Sequence, residues 1–236
     1  MQAGYATDEM MTVTAARLVA DGVCFVGIGL PSLAANLARH THAPNCVLIY
    51  ESGTIGAKPN QPPLSIGDGE LAQTADFVVS VPEMFAYWLQ GGHIDVAFLG
   101  AAQIDRFGNL NSTVIGDYER PSVRLPGAGG APEIARSCRN VVVILRHSPR
   151  SFVTSLDFVS SPGDHVTTVI TDLGILEPDV DTRELMLSAL YPGRTVEEAR
   201  DATGWPLRVA ADLQDVKPPS DEELDALRRL TAMVPA

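Results

Sequence analysis

Asn140-Val141-Val142-Val143-Ile144-Leu145 is an apolar, mostly β-branched run with no polar alternation, and it constrains the fold more than any other stretch. A strand with one wet face alternates apolar and polar residues. A continuous apolar run fits a strand covered on both faces. Residues 23–28, 46–50, 77–81, 96–99 and 166–171 read the same way. Helical signals fall between them. Thr7 is the predicted N-cap of a first helix, with Asp8 and Glu9 in its first turn, Met11, Ala15, Leu18 and Val19 at helical spacing, and Gly22 as its stop. After the turn Gly29-Leu30-Pro31, Ser32 is predicted to cap a second helix reaching about His40. Pro82 opens a short helix that Gly91-Gly92 close. Thr195 with Glu198, and Ser220 with Glu223, are capping boxes, the second starting a helix from Asp221 to about Met233. Strands alternating with helices predict an α/β fold with a mainly parallel sheet and helices on both faces. Residues 156–192 show little helical pattern and are predicted to add antiparallel strands. The 236 residues contain no repeat, low-complexity tract or interdomain linker, which predicts one domain over 1–236.

The formal net charge of −12 argues against sequence-independent nucleic-acid binding, which needs clustered Lys and Arg. It leaves room for an anionic ligand held by backbone amides. No apolar run is long enough to span a membrane. The segment MQAGYATDEM has neither the basic nor the apolar region of a signal peptide. Cys24, Cys46 and Cys138 are far apart, and no Cys/His cluster exists, so neither a disulfide framework nor a metal site is indicated. Cys24 and Cys46 lie in apolar runs and read as core thiols. These observations predict a cytoplasmic protein that binds no membrane.

Three glycine-rich or polar segments carry candidate chemistry, and in open α/β sheets ligands bind at the strand ends. Gly27-Ile28-Gly29-Leu30-Pro31 allows close backbone approach. It lacks the third glycine of a dinucleotide fingerprint, and a plain strand-to-helix turn is an equal account of it. Tyr50-Glu51-Ser52-Gly53-Thr54-Ile55-Gly56 puts a carboxylate at the end of an apolar strand. It is either a surface glutamate entering a loop or a nucleophile held on a rigid element, where orientation and lost hydration compensate for weak intrinsic reactivity. Gly127-Ala128-Gly129-Gly130-Ala131-Pro132 opens a helix whose free amides suit an oxyanion hole, or else serves packing alone. Between the last two, residues 99–113 are rich in hydrogen-bonding side chains. Gln103, Asn111 and Ser112 either face a ligand or satisfy loop backbone. The five histidines have no partner at motif spacing and read as structural or solvent-facing.

Taken in order, these residues resemble the β subunit of family I coenzyme A transferases, most closely the glutaconate type. Glu51-Ser52-Gly53-Thr54-Ile55-Gly56 fits the family's ExGxxG motif and Gly127-Ala128-Gly129-Gly130-Ala131 its GxGGA motif. Residues 100–105, 108–113 and 115–118 look like the connecting stretch of that branch. The resemblance implies the CoA-transferase (NagB/RpiA-like) fold. It makes Glu51 the catalytic nucleophile, Gly129 and Gly130 the oxyanion hole, and Gly27, Gly29, Ser52, Gly53, Gln103, Asn111, Ser112 and Gly127 substrate- or CoA-binding residues. It implies covalent ping-pong transfer between an acyl-CoA, a dicarboxyl- or 3-oxoacyl-CoA among them, and a carboxylic acid, through a glutamyl-CoA thioester. CoA thioester is then a substrate, with no bound cofactor and no metal. A separate α subunit is implied, in an α2β2 assembly. The acidic balance of this half predicts that the partner supplies much of the site for the CoA phosphates. Tyr50 and Ser52 flank the glutamate where the ketoacid branch usually carries Ser-Glu-Asn-Gly, which favours the glutaconate branch. The alternative is an acyl-CoA hydrolase, ring-opening hydrolase or decarboxylase on the same fold, whose members tend to have lost or moved this glutamate.

Overall fold

The structure, a computed structural model, describes residues 4–232. Along the chain run α1 (Thr7–Ala16), β1 (Val23–Phe25), α2 (Leu30–His40), β2 (Val47–Ile49), β3 (Thr54–Ile55), α3 (Gly69–Thr74), β4 (Phe77–Val78) and α4 (Val81–Glu83), which continues as a π-helix over Met84–Leu89. Then follow β5 (Val96–Leu99), β6 (Gln103–Ile104), β7 (Leu110–Asn111), β8 (Val114–Gly116), β9 (Pro121–Arg124), α5 (Ala131–Ser137), β10 (Asn140–Ile144), β11 (Val166–Ile170), β12 (Gly174–Pro178), β13 (Leu185–Leu190), α6 (Val196–Asp201), β14 (Arg208–Asp215) and α7 (Asp221–Ala232). The chain divides into two compact units. One holds the residues up to Phe98, Ser137–Arg139 and those from Pro218 on. The other holds Leu99–Arg136 and Asn140–Lys217.

In the first unit β1 lies between β2 and β5, parallel to both, and β2, β3 and β4 follow as antiparallel neighbours. The apolar runs predicted as doubly covered strands supply its interior: Cys24, Phe25, Leu48, Ile49, Ala97 and Phe98 are all buried. Helices α1, α2 and α7 pack on one another. Leu224, Leu227 and Leu230 of α7 recur at the three-to-four-residue spacing that puts them on one buried face. In the second unit β10 and β11 are parallel, β11, β12 and β13 antiparallel, and β13 and β14 parallel. The antiparallel part falls where the sequence loses its helical pattern. The fold is α/β, and within each unit the continuous apolar runs pair in parallel, β1 with β2 and β5, and β10 with β11.

Several boundaries differ from expectation for local reasons. The first helix is capped at Ala6 rather than Thr7, with the Ala6 N–H donating to the Glu9 carboxylate at 2.7 Å. It ends at Ala16, and Leu18 and Val19 continue in tighter turns, bonding back three residues to Ala15 and Ala16. The second starts at Leu30 behind Gly29, whose φ of 83° needs glycine, so Ser32 is inside the helix and not its cap. Phe77 and Val78 are about half exposed, because β4 is paired only on its β3 side. Both capping boxes form as predicted, Thr195 Oγ1 accepting from the Glu198 N–H at 3.2 Å and Ser220 Oγ from the Glu223 N–H at 3.2 Å. The predicted end of α7 at Met233 lies outside the described residues, as does the very start of the segment read for a signal peptide.

Candidate functional site

Strand β2 ends at Ile49 and the chain reverses within a few residues into β3. The Gly53 N–H donates to the Tyr50 carbonyl at 2.9 Å, and the Tyr50 N–H to the Thr54 carbonyl at 3.1 Å. This is the pattern of a three-residue hairpin loop with glycine in the left-handed position. Gly53 has φ 94°, and a Cβ there would run into the Val79 carbonyl oxygen. Glycine is therefore required twice over, by conformation and by close approach. Glu51 opens this turn. It is half-buried, and its carboxylate makes no hydrogen bond or ion pair with any described residue. The hydroxyl of Ser52 is buried without a partner among the described residues. Glu51 thus stands just beyond the C-terminal end of a strand paired in parallel, half-buried and with no ion-pair partner among the described residues.

Gly27 and Gly29 follow the C-terminal end of β1, next to β2, with the Val26 N–H on the Ile49 carbonyl at 2.9 Å. A second link joins the two segments below the surface. Asn36 Nδ2 of α2 donates to the Tyr50 hydroxyl oxygen at 3.3 Å and to the Ser32 carbonyl at 2.9 Å, and Ser32 Oγ lies 3.5 Å from the Tyr50 hydroxyl. Sequence reading passed over this cluster. The only signals are a tyrosine closing an apolar strand and an asparagine four residues after a serine, which puts both on one face of a helix that is buried from Ser32 to Ala38 apart from Leu33. Beside Gly29 is an apolar cavity of about 190 Å³ lined by Ile28, Leu33, Pro62, Pro63 and Leu64. It suits methylene groups rather than phosphate.

The second unit assembles the other predicted residues. β6 and β7 pair Gln103 with Asn111. Asn111 Nδ2 donates to Gln103 Oε1 at 3.0 Å and to the Val114 carbonyl at 2.7 Å, while its Oδ1 accepts from the N–H groups of Thr113 and Val114. Gln103 Nε2 reaches the Arg150 carbonyl at 3.3 Å. Asn111, buried, thus spends its polar groups on the loop itself, and Gln103, also buried, ties that loop to Arg150. Ser112 differs: its N–H donates to Ser160 Oγ at 2.9 Å, and its hydroxyl bonds to no described residue. The Ser112 carbonyl accepts from the Gly127 N–H at 2.8 Å, and the Thr113 carbonyl from the Leu125 N–H at 3.0 Å, so this loop and the glycine-rich loop are fastened together. Gly127 and Gly129 have φ values of 106° and 54°, and neither has any atom within 4 Å of where a Cβ would stand. Conformation, not crowding, requires glycine there, and the space beside the loop is open. The N–H groups of Ala128, Gly129 and Gly130 donate to no described acceptor.

Other reactive residue types are used for structure. His147 is buried, stacks on Phe152 with ring centroids 3.8 Å apart, and shares a hydrogen bond of 2.8 Å between Nε2 and Thr203 Oγ1. Burial brings its pKa down to about 4. Cys24, Cys46 and Cys138 are buried free thiols, and burial pushes Cys138 up to about 12. No cluster of three or more His, Cys, Asp or Glu suited to a metal ion occurs among the described residues, and no helix there is long and apolar enough to cross a membrane.

Comparison with known proteins bears on this geometry. The family model described as "Coenzyme A transferase" matches residues 8–201. The β subunit of 3-oxoadipate CoA-transferase from Pseudomonas knackmussii is 56% identical, over 98% of this chain and 95% of that protein. The crystal structure of glutaconate coenzyme A-transferase from Acidaminococcus fermentans superposes with a TM-score of 0.89 at 32% identity, over 95% of this chain and 94% of that one. The decarboxylase AibA/AibB superposes with a TM-score of 0.87 at 26% identity, over 95% and 94%.

Proposed function

This chain belongs to the coenzyme A transferase family, as the counterpart of its β subunits, and from that premise we propose that it acts with a separate α subunit to move coenzyme A between an acyl-CoA and a carboxylic acid. The observation that carries the reading is Glu51, a half-buried carboxylate without any partner among the described residues, fixed on a tight hairpin turn.

In the proposed reaction a Glu51 carboxylate oxygen attacks the thioester carbonyl carbon, the C–S bond breaks and CoA leaves as thiolate, giving a mixed acyl-glutamyl anhydride. The thiolate attacks the glutamyl carbonyl carbon, releasing the acid as carboxylate and leaving CoA on Glu51 as a thioester. The acceptor carboxylate runs the same steps backwards and departs as the new acyl-CoA. The amides at Gly129 and Gly130 are proposed to hold the oxyanion at each tetrahedral stage, a role supported by their having no acceptor among the described residues. Ser52, Gly53, Gly27, Gly29, Gly127 and Ser112 are proposed to border substrate. Gln103 and Asn111 take part by shaping the loop that presents Ser112. The chemistry runs on a carboxylate and calls for no metal or resident cofactor.

3-Oxoadipate and glutaconate are both dicarboxylates, which supports a dicarboxylic or 3-oxo acid as the substrate class. Many of this chain's cations are already paired with carboxylates: Arg17 with Glu223, Lys58 with Asp76, Arg139 with Asp95, Arg208 with Asp179 and Arg228 with Glu9. This supports a partner that supplies much of the phosphate site, in an α2β2 enzyme. Buried, unoxidised thiols suit a cytoplasmic setting. The test is acceptor dependence. With the α subunit present, CoA should pass from a dicarboxyl-CoA to a second acid with ping-pong kinetics, and Glu51→Gln should abolish transfer. Release of free CoA at full rate without an acceptor would instead establish a hydrolase.

A further inference from the structure

The polar cluster beneath the glutamate hairpin has no part in the steps just proposed. Tyr50, Asn36 and Ser32 are each wholly buried, at 0% exposure. The orientation of the Asn36 amide is fixed, because turning it over would set its oxygen against the Ser32 carbonyl oxygen. Its own oxygen has no hydrogen-bond partner among the described residues. Burying an amide, a phenol and a serine hydroxyl costs desolvation that long bonds to the phenol and an orphaned oxygen only partly return. Phenylalanine and leucine would fill similar space without that cost, so the cluster is a poor device for stability. What it does link is specific. Asn36 belongs to the helix that starts at Gly29, and Tyr50 is the residue covalently bonded to Glu51.

We propose that Tyr50 and Asn36 are positioning residues for Glu51, holding the hairpin so that one carboxylate serves both halves of the transfer. The proposal rests on the glutamyl mechanism above and adds to it. That mechanism uses Glu51 twice, first as the oxygen that attacks the thioester and then as the carbonyl carbon attacked by the CoA sulfur. Both attacks need the same group in one place, and a displacement near 1 Å costs a reaction of this kind roughly a hundredfold. The Gly53 turn sets the shape of the hairpin, while the Asn36–Tyr50 bond fixes its root against α2.

The experiment uses the full chain in complex with its α subunit and succinyl-CoA as donor, following CoA attachment to Glu51 by rapid quench and peptide mass spectrometry. Tyr50→Phe keeps the ring and removes the hydroxyl, and Asn36→Ala removes the other partner. Leu227→Ala, in the buried face of α7, serves as a control that lowers Tm elsewhere. We expect Tyr50→Phe and Asn36→Ala each to slow adduct formation by between about tenfold and a hundredfold with KM for the thioester unchanged. The double variant should lose no more than either alone, and Leu227→Ala should form adduct at the wild-type rate in spite of its lower Tm. A wild-type rate in Tyr50→Phe overturns the proposal, and so does a loss that Leu227→Ala reproduces at equal Tm, since that would make the cluster merely structural. Absence of any adduct in the wild type overturns the glutamyl mechanism and this proposal together.

Discussion

Around Glu51 each neighbouring residue has a separate physical role. Tyr50 is sunk in the core, Ser52 makes the turn, and Gly53 accepts a backbone conformation and a contact that no side chain tolerates. Gly53→Ala should therefore cost about 1–3 kcal/mol or more, measured by thermal unfolding. Gly129→Ala, where φ is 54° and the space is open, should be milder in stability. His147 yields a pH prediction. Its folded pKa of about 4 lies below the ordinary 6.5, so the unfolded chain binds the extra proton first as pH falls. The stabilisation is complete above pH 6.5 and is lost progressively between 6.5 and 4, amounting to no more than about 3 kcal/mol. Urea unfolding at pH 7 and pH 5 should show the fall, and His147→Leu should flatten it. The family was legible because the order of its motif residues along the chain is distinctive. The part played by Asn36 was not, since it depends on a contact with a residue fourteen positions away on another element.

At the scale of elements, long apolar runs announced themselves and short pieces did not. Residues 96–99, 140–145 and 166–171 became β5, β10 and β11 almost unchanged, because their apolar character comes from burial on both sides. β3, the strand that makes the Glu51 turn a hairpin, is Thr54–Ile55. Two residues have no periodicity to read, so the sequence showed a loop after the glutamate where the structure has a hairpin. β6 and β7, also two residues each, were missed for the same reason, and β8 and β9 because they are short and mostly not buried, so no apolar run marks them. The start of α2 was misplaced because Ser32 looks like a cap, while the positive φ of Gly29 is invisible until the backbone is traced. Where cap chemistry is fully written into the sequence, it formed. At α6, Thr195→Ala should cost about 1 kcal/mol in chemical denaturation, since the Glu198 N–H loses its acceptor.

For the molecule as a whole, the division into two units left no trace in composition. No linker separates them, because the chain enters the first unit again at Ser137–Arg139 and once more from Pro218 onward. The last return brings α7 against α1 and α2, with Arg17 on Glu223 and Arg228 on Glu9 at 2.7 Å. These pairs are partly solvent-exposed and are worth little individually. Arg228→Ala should change stability by less than about 1 kcal/mol, whereas Leu227→Ala, which empties part of the buried face, should cost about 2–5 kcal/mol. The central claim concerns the whole protein at work, that CoA is carried covalently on Glu51 between two acids. The most direct test is to incubate the α–β complex with a dicarboxyl-CoA and map the attached CoA by peptide mass spectrometry. The account predicts CoA on the peptide containing Glu51, lost on adding an acceptor acid and absent in Glu51→Gln. Steady turnover of acyl-CoA with Glu51 unmodified throughout would contradict it.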